Sequence, residues 1–283
     1  MGAIDMTLAM AWVGTRKDGL THLYIASDSR TRGGMVFDYC PKILTLPRSD
    51  CAICFAGDTA ATYPLMLQLA NAISLHLPAK ERSLDIRTLK PHLLRVFTDI
   101  INSVKDSVTP IKPSDVQFLF FGYSWISKTF EIWTIYYSDK DRKFSARPAN
   151  NLHPMMPKVA FIGDVAKKAR AKLIERLNSY KDKIPQHFEF EPFKVLRDML
   201  RDAKQESSIG GAPQLVRIAE HMNTKVIGVK WGNANNKFTT VMGRQIFEYE
   251  NTDNLTIDPD TFKYTRPRSF GYREPQLEEQ DKV

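Results

Sequence analysis

The side-chain types that most often carry chemistry are thinly spread along this 283-residue chain. Cys51-Ala-Ile-Cys54 has the spacing of half a zinc site. Tetrahedral zinc needs four ligands, and neither a second Cys pair nor a nearby His completes the set. On a strand, residues three apart point to opposite faces, so the sequence predicts no metal site. The six histidines, His22, His76, His92, His153, His187 and His221, share no spacing, which leaves a Ser–His or Cys–His hydrolase unsupported. Gly33-Gly34 and Gly210-Gly211 are lone pairs. They read as turns and not as a phosphate-cradling loop, and no cofactor is expected.

Composition narrows the class further. Hydrophobic residues at 43 % and charged residues at 25 % are globular values and exclude a chain disordered throughout. Three cysteines cannot form a disulfide framework, and the odd number suits a reducing compartment. No apolar run has the length of a bilayer span. Before the apolar stretch 6–13 the only charge is Asp5, so a secretory signal lacks its basic start. The chain reads as soluble and cytoplasmic, with no membrane partner. Forty Lys and Arg against 32 Asp and Glu give +8, but the basic residues are scattered. Their densest group, Lys167-Lys168-Ala169-Arg170-Ala171-Lys172, follows a helical pattern and reads as a solvated face. Nucleic acid is not an expected partner.

The elements that must position any site follow from periodicity. Apolar runs at 7–13 and 23–26 predict a hairpin whose long tip runs from Thr15 to Thr21. Runs at 42–46 and 51–55 form a second pair around the turn-like Pro47-Arg-Ser-Asp50. Asp58 or Thr59 can cap a helix carrying Leu65, Leu69 and Ile73. Leu93, Leu94, Phe97, Ile100, Ile101 and Val104 share one face of a second helix. Strands are predicted at 116–123, 130–137, 143–147 and 158–162, helices at 165–180 and 192–203, and closing strands at 224–231 and 237–248. Residues 213–220 are compatible with either helix or strand. From Tyr264 the chain is mostly polar and broken by Pro267 and Pro275, which predicts a flexible tail over 264–283. Blocks of strands separated by helix pairs do not fit a parallel α/β sheet. The fold class expected is α+β: a four-layer αββα sandwich of two antiparallel sheets. Covering each sheet on both faces would explain runs such as Phe118-Leu-Phe-Phe121 that do not alternate.

Four motifs in order, Met6-Thr7-Leu-Ala-Met-Ala-Trp12, Ile25-Ala-Ser-Asp-Ser-Arg30, Pro41-Lys-Ile-Leu44 and Phe55-Ala-Gly-Asp58, resemble the opening of a proteasome-type β-subunit. They are most similar to the bacterial Anbu-type members. The likeness is specific over residues 6–75 and architectural over 115–232. It implies an N-terminal nucleophile hydrolase, in which a chain-terminal Thr attacks a peptide carbonyl and its own α-amine is the base. An α-amine titrates at about 7.7–8.0, near working pH. The resemblance makes Thr7 the nucleophile and base, Asp28 the orienting carboxylate, Lys42 the electrostatic partner and Gly57 the oxyanion donor. Asp28 follows Thr7 by 28 − 7 = 21 positions, more than the family uses. The excess falls in the hairpin tip, where added residues cost little.

Other correspondences are partial. Gly163 is followed by Asp164 where the family has Ser. Its Asp-x-x-Ser-Gly-Gly run is here Glu206-Ser-Ser-Ile-Gly-Gly211, with Ser208 one residue early and Ile209 in the Ser place. Asp164, Glu206 and Ser208 are therefore the supporting residues expected, and Thr31, Cys40, Leu44 and Phe55 the lining of an apolar substrate pocket. Residues 1–6 precede Thr7 and read as a leader, a propeptide-like remnant or an upstream start, with Met6 removed to free Thr7. A single domain is expected over 7–263. The activity implied is that of a threonine-type peptidase on peptide or protein substrates, in a homo-oligomeric ring; an unfoldase partner is compatible with this and the sequence does not identify one. The alternatives are an inactive scaffold or binding subunit, and a small-molecule amidase on the same fold.

Overall fold

The computed structural model describes residues 7–16, 18–32, 35–105, 112–152, 157–180, 188–233, 236–250 and 252–266. The leader 1–6 and most of the expected tail, 267–283, lie outside the described residues. The fold is α+β with antiparallel sheets. Its strands are β1 Ala9–Thr15, β2 Thr21–Ser27, β3 Thr31–Arg32, β4 Val36–Phe37, β5 Ile43–Thr45, β6 Cys51–Ala56, β7 Gln117–Ser124, β8 Thr129–Ser138, β9 Lys143–Pro148 and β10 Val159–Ile162. They continue with β11 Gln214–Ala219, β12 Asn223–Asn233, β13 Asn236–Val241, β14 Arg244–Gln245, β15 Thr256–Ile257 and β16 Tyr264–Thr265. The helices are α1 Thr59–Leu75, α2 Leu77–Lys80, α3 Ile86–Asn102, α4 Ala166–Asn178 and α5 Glu191–Arg201.

The larger sheet runs β10-β1-β2-β11-β12-β13-β14, with β15 beside β12 and β16 beside β15; the second runs β5-β6-β7-β8-β9. All pairings are antiparallel except β12 with β15. Alternation along the strands sorts the apolar residues into three layers. Cys51, Ile53, Phe55, Phe118 and Phe120 pack with Leu65, Leu69, Leu93 and Phe97 from α1 and α3. Ala9, Ala11, Leu23 and Ile25 face Ala52, Cys54, Ala56 and Leu119 between the sheets. Met10, Trp12 and Tyr24 pack with Leu173, Phe193 and Leu196 from α4 and α5. The many Ala positions in the middle layer let the two sheets approach closely. Both faces are covered, and this is why runs such as 118–121 are continuously apolar.

Asp58 caps α1 by accepting from the Ala60 N–H at 2.8 Å, as its position before the helical run suggested. Within 213–220, Gln214–Ala219 form a strand, β11, laddered to β2 along its whole length and to β12 from Leu215 to Ala219. Three expectations change. The strand expected over 237–248 divides at a Met242-Gly243 turn into β13 and β14, which pair antiparallel because the chain reverses there. Tyr264 does not start a flexible tail: it pairs with Ile257 and its ring packs on the α4–α5 side of the large sheet. The short strands β3 and β4 were not anticipated, since two residues leave no periodic signal. Cys51 and Cys54 face different layers, and burial pushes both thiols up. Among the described residues no helix is long and apolar enough to cross a membrane.

Candidate active site

The register of β1 on β2 runs from Thr15↔Thr21 to Ala9↔Ser27. Carried one pair further, it sets Leu8 opposite Asp28. Asp28 N–H donates to the Leu8 carbonyl at 3.2 Å, and Leu8 N–H donates back to Asp28 Oδ1 at 3.1 Å. Thr15 and Thr21 are the last pair before the tip, and the two strands on either side of it are equally long. Lys42 enters from the second sheet, immediately before β5. Its Nζ donates to Asp28 Oδ1 at 2.8 Å and to Thr7 Oγ1 at 3.0 Å. Thr7, Asp28 and Lys42 are 2 %, 0 % and 1 % exposed, so the three meet in a dry junction between the sheets.

The other carboxylate oxygen, Asp28 Oδ2, accepts from the N–H groups of Arg30 and Gly210 at 3.1 and 3.2 Å. Burial raises the Asp28 carboxyl above the usual range, against the opposing pull of the Lys42 ammonium and the Leu8 and Gly210 N–H groups. Every lone-pair direction of this carboxylate has a donor, so its orientation toward Lys42 is held from four sides.

A set of polar residues that periodicity does not mark holds the trio in place. Gln214, fully buried at the start of β11, accepts from Lys42 N–H at 3.0 Å. Its amide nitrogen donates to the Asp28 and Cys40 carbonyls at 3.3 and 2.7 Å. Ser27 Oγ donates to the Leu8 and Asp28 carbonyls, and Ser29 Oγ lies within bonding distance of the Asp38 and Ala212 carbonyls. Arg30 donates to Asp38 through Nε and Nη2 and to the Lys204, Gln205 and Ser207 carbonyls through Nη1. The only sequence signal for this shell was the polar Ser-Asp-Ser-Arg run following an apolar strand.

The remaining expected residues fall outside the trio. Gly57 has φ +113°, and a Cβ there would overlap the Asp115 carbonyl oxygen. The turn into α1 thus requires glycine by itself. Phe55 N–H, two residues earlier, donates to the Lys42 carbonyl at 3.2 Å. Asp164 and Glu206 are exposed and Ser208 is half-buried. The 204–211 loop reaches Asp28 through the Gly210 backbone and places no carboxylate there. Cys40 and Phe55 belong to the core under α1 and α3, with Leu44 against it. The Phe55 ring meets Tyr63 edge-on at 5.3 Å, and Cys40 Sγ lies 2.9 Å from Tyr63 Oη. Phe55 takes the helix-facing side of β6, and Cys40, in the segment before β5, joins the same cluster. Thr31 is half-buried and pairs with Phe37.

In comparison with known proteins, no family model and no curated protein matches the chain.

Proposed function

We propose that the chain is a threonine-type N-terminal nucleophile hydrolase of the proteasome-like class, built as a four-layer αββα sandwich and acting on peptide or related amide bonds. The observation that carries this reading is the placement of one buried ammonium, Lys42 Nζ, between Thr7 Oγ1 and Asp28 Oδ1 at 3.0 and 2.8 Å. A buried ion pair is often no more stable than apolar residues of the same volume. Its presence against a hydroxyl argues for chemistry over packing.

In this reading Thr7 is the first residue of the working chain. Its free α-amine takes the hydroxyl proton as Oγ1 bonds to the substrate carbonyl carbon. Lys42, held by Asp28, favours the developing alkoxide and depresses the amine by like-charge repulsion. The carbonyl oxygen becomes an oxyanion, for which the Gly57 N–H is the expected donor. The C–N bond then breaks, and the leaving nitrogen takes its proton from the α-ammonium. Water, deprotonated by the regenerated amine, hydrolyses the resulting ester and restores Thr7. A peptide or protein substrate, a homo-oligomeric ring and a cytoplasmic setting belong to the same proposal.

The test is a chain beginning at Thr7, confirmed by the mass of its N-terminal peptide and treated with a peptide epoxyketone. One adduct per chain on Thr7, absent from Thr7→Ala, is the expected result. A folded chain with Thr7 freed that takes no adduct overturns the reading, as would native-host protein whose N-terminal peptides begin only at Met1. Peptide pools compared with simple amides then separate a peptidase from a small-molecule amidase. A second reading, a binding subunit without turnover, is favoured by exposed Glu206 and by Ile209, 4 % exposed where the family resembled has Ser. The same labelling distinguishes it.

A further inference from the structure

We propose that the hollow lined by the Arg30 side chain and Trp231 is a binding site for a small aromatic carboxylate, separate from the Thr7 hydroxyl and independent of whether the Thr7 amine is freed. The hollow holds about 330 Å³, at the lower end of the range for small-molecule sites and suited to one ring system with a short substituent. Leu200, Phe238 and Trp231 form apolar wall, and Tyr39 and Lys204 stand at its margin.

Two features select a flat ring. Trp231 carries the Arg201 guanidinium over its ring, 5.7 Å from the centroid. Arg201 lines a second hollow with Trp231 and Asp260, and the same indole lines the first beside Phe238. Arg30 is 8 % exposed, and its edge is already engaged by Asp38 and by the carbonyls of Lys204, Gln205 and Ser207. One of its flat faces lies against Gly210, where a Cβ would overlap the guanidinium carbon. With these bonds made, Arg30 lines the hollow chiefly as a planar cation, which attracts an aromatic π-cloud.

The charges around the hollow select an acid. Asp38 is the acidic group lining it, and its carboxyl is held low by the hydrogen bonds from Arg30, with Arg32 adding to the pull. Against that one negative charge in the lining stand Arg30 and Lys204. Arg32 is fixed nearby through its donation to the Gln205 carbonyl at 3.0 Å. The surplus is positive and closest to solvent at Lys204, where a carboxylate substituent would sit.

Isothermal titration of the full chain with indole-3-acetate, indole-3-ethanol and cyclohexylacetate tests this. Indole-3-acetate should bind with a Kd of about 1 mM or tighter, a fraction of the per-atom ceiling for small ligands. It should outbind both the neutral alcohol and the saturated acid by at least about threefold. Trp231→Leu should weaken it about tenfold, a loss of roughly 1.4 kcal/mol. Lys204→Gln, at an exposed position, should erase the advantage of the acid over the alcohol while leaving the alcohol unchanged. The proposal fails if indole-3-acetate gives no heat at 10-fold the stated Kd, if cyclohexylacetate equals it, or if Lys204→Gln keeps the acid's advantage. Acetyl-Gly-Gly-Trp carries the same ring and a carboxylate on a peptide; tighter binding of that peptide by tenfold overturns the small-molecule assignment.

Discussion

Gly163 lies directly against the carbonyl of Thr7: a Cβ on Gly163 would overlap the Thr7 carbonyl oxygen, and its φ of +100° is one that other residues rarely adopt. β10 ends at Ile162, paired with Ala9, so the turn into α4 passes over Thr7, two residues before β1. Thr7 is thus located from two sides, its hydroxyl by Lys42 and its main chain by Gly163. Gly163→Ala should cost about 2–4 kcal/mol through backbone strain and displacement, lowering Tm by roughly 5–10 °C. A freed Thr7 in this variant should label more slowly with an epoxyketone than in the parent. Unchanged melting would show that the contact relaxes without cost.

Lys42→Met leaves the Asp28 carboxylate fully buried with its cation gone. The expected loss is about 3–5 kcal/mol in urea unfolding, the range for breaking one side of a buried pair. The double variant Lys42→Met with Asp28→Asn should recover part of that loss, because the uncompensated charge is removed. A double variant no more stable than the single one would contradict this account. Neither should take an adduct at Thr7.

Gln214 bridges both sheets through a single amide. Gln214→Leu is close in volume but strands the Lys42 N–H and removes a donor from the Asp28 and Cys40 carbonyls. We expect about 2–4 kcal/mol of destabilisation, the cost of several buried groups left unpaired. Gln214→Glu should also destabilise, since a carboxylate cannot donate to those carbonyls. A Gln214→Leu variant as stable as the parent would show that the bridge is dispensable.

His22 gives a pH dependence. It is 7 % exposed, at the β1–β2 tip opposite Gly14 and Ala219, and its Nδ1 has no hydrogen-bond partner. Burial, then the positive charges of Arg217 and Arg16, lower it from 6.5 to about 4, with Asp18 opposing. Between those values the unfolded chain binds a proton that the folded chain excludes, so stability is full above about 6.5 and declines as pH falls toward 4. From pH 7 to pH 5 this group alone removes on the order of 2 kcal/mol. His22→Gln should flatten the difference in unfolding free energy between those pH values by about that amount. An unchanged pH slope in the variant would show that His22 is not its source.

How far the residues alone go can be judged from particular places. The tip from Thr15 to Thr21, the Asp58 cap and the two-faced burial of 118–121 were all legible, because turn chemistry, capping and strand alternation act over a few neighbouring residues. The grouping of Thr7, Asp28 and Lys42 came from motif resemblance, and the hairpin register explains only the first two. The faces taken by Cys40, Leu44 and Phe55 were not legible, because alternation assigns two sides without saying which covers helices. Gln214 left no signal at all, and Gly163 entered only through the motif resemblance. Each works by meeting a backbone more than 150 positions away in the sequence, from Gln214 to Lys42 or from Gly163 to Thr7.

The amino-acid order by itself determined most of the longer strands, the longer helices and the turn region between β1 and β2. Only tertiary structure decided that β10 and β11 flank the β1–β2 hairpin, that Lys42 crosses from the second sheet to a hydroxyl and a carboxylate, and that backbone carbonyls surround Arg30. Periodicity encodes which face of an element is apolar. Which two apolar faces meet is settled by packing and by pairing every buried polar group, and that sum runs over the whole chain.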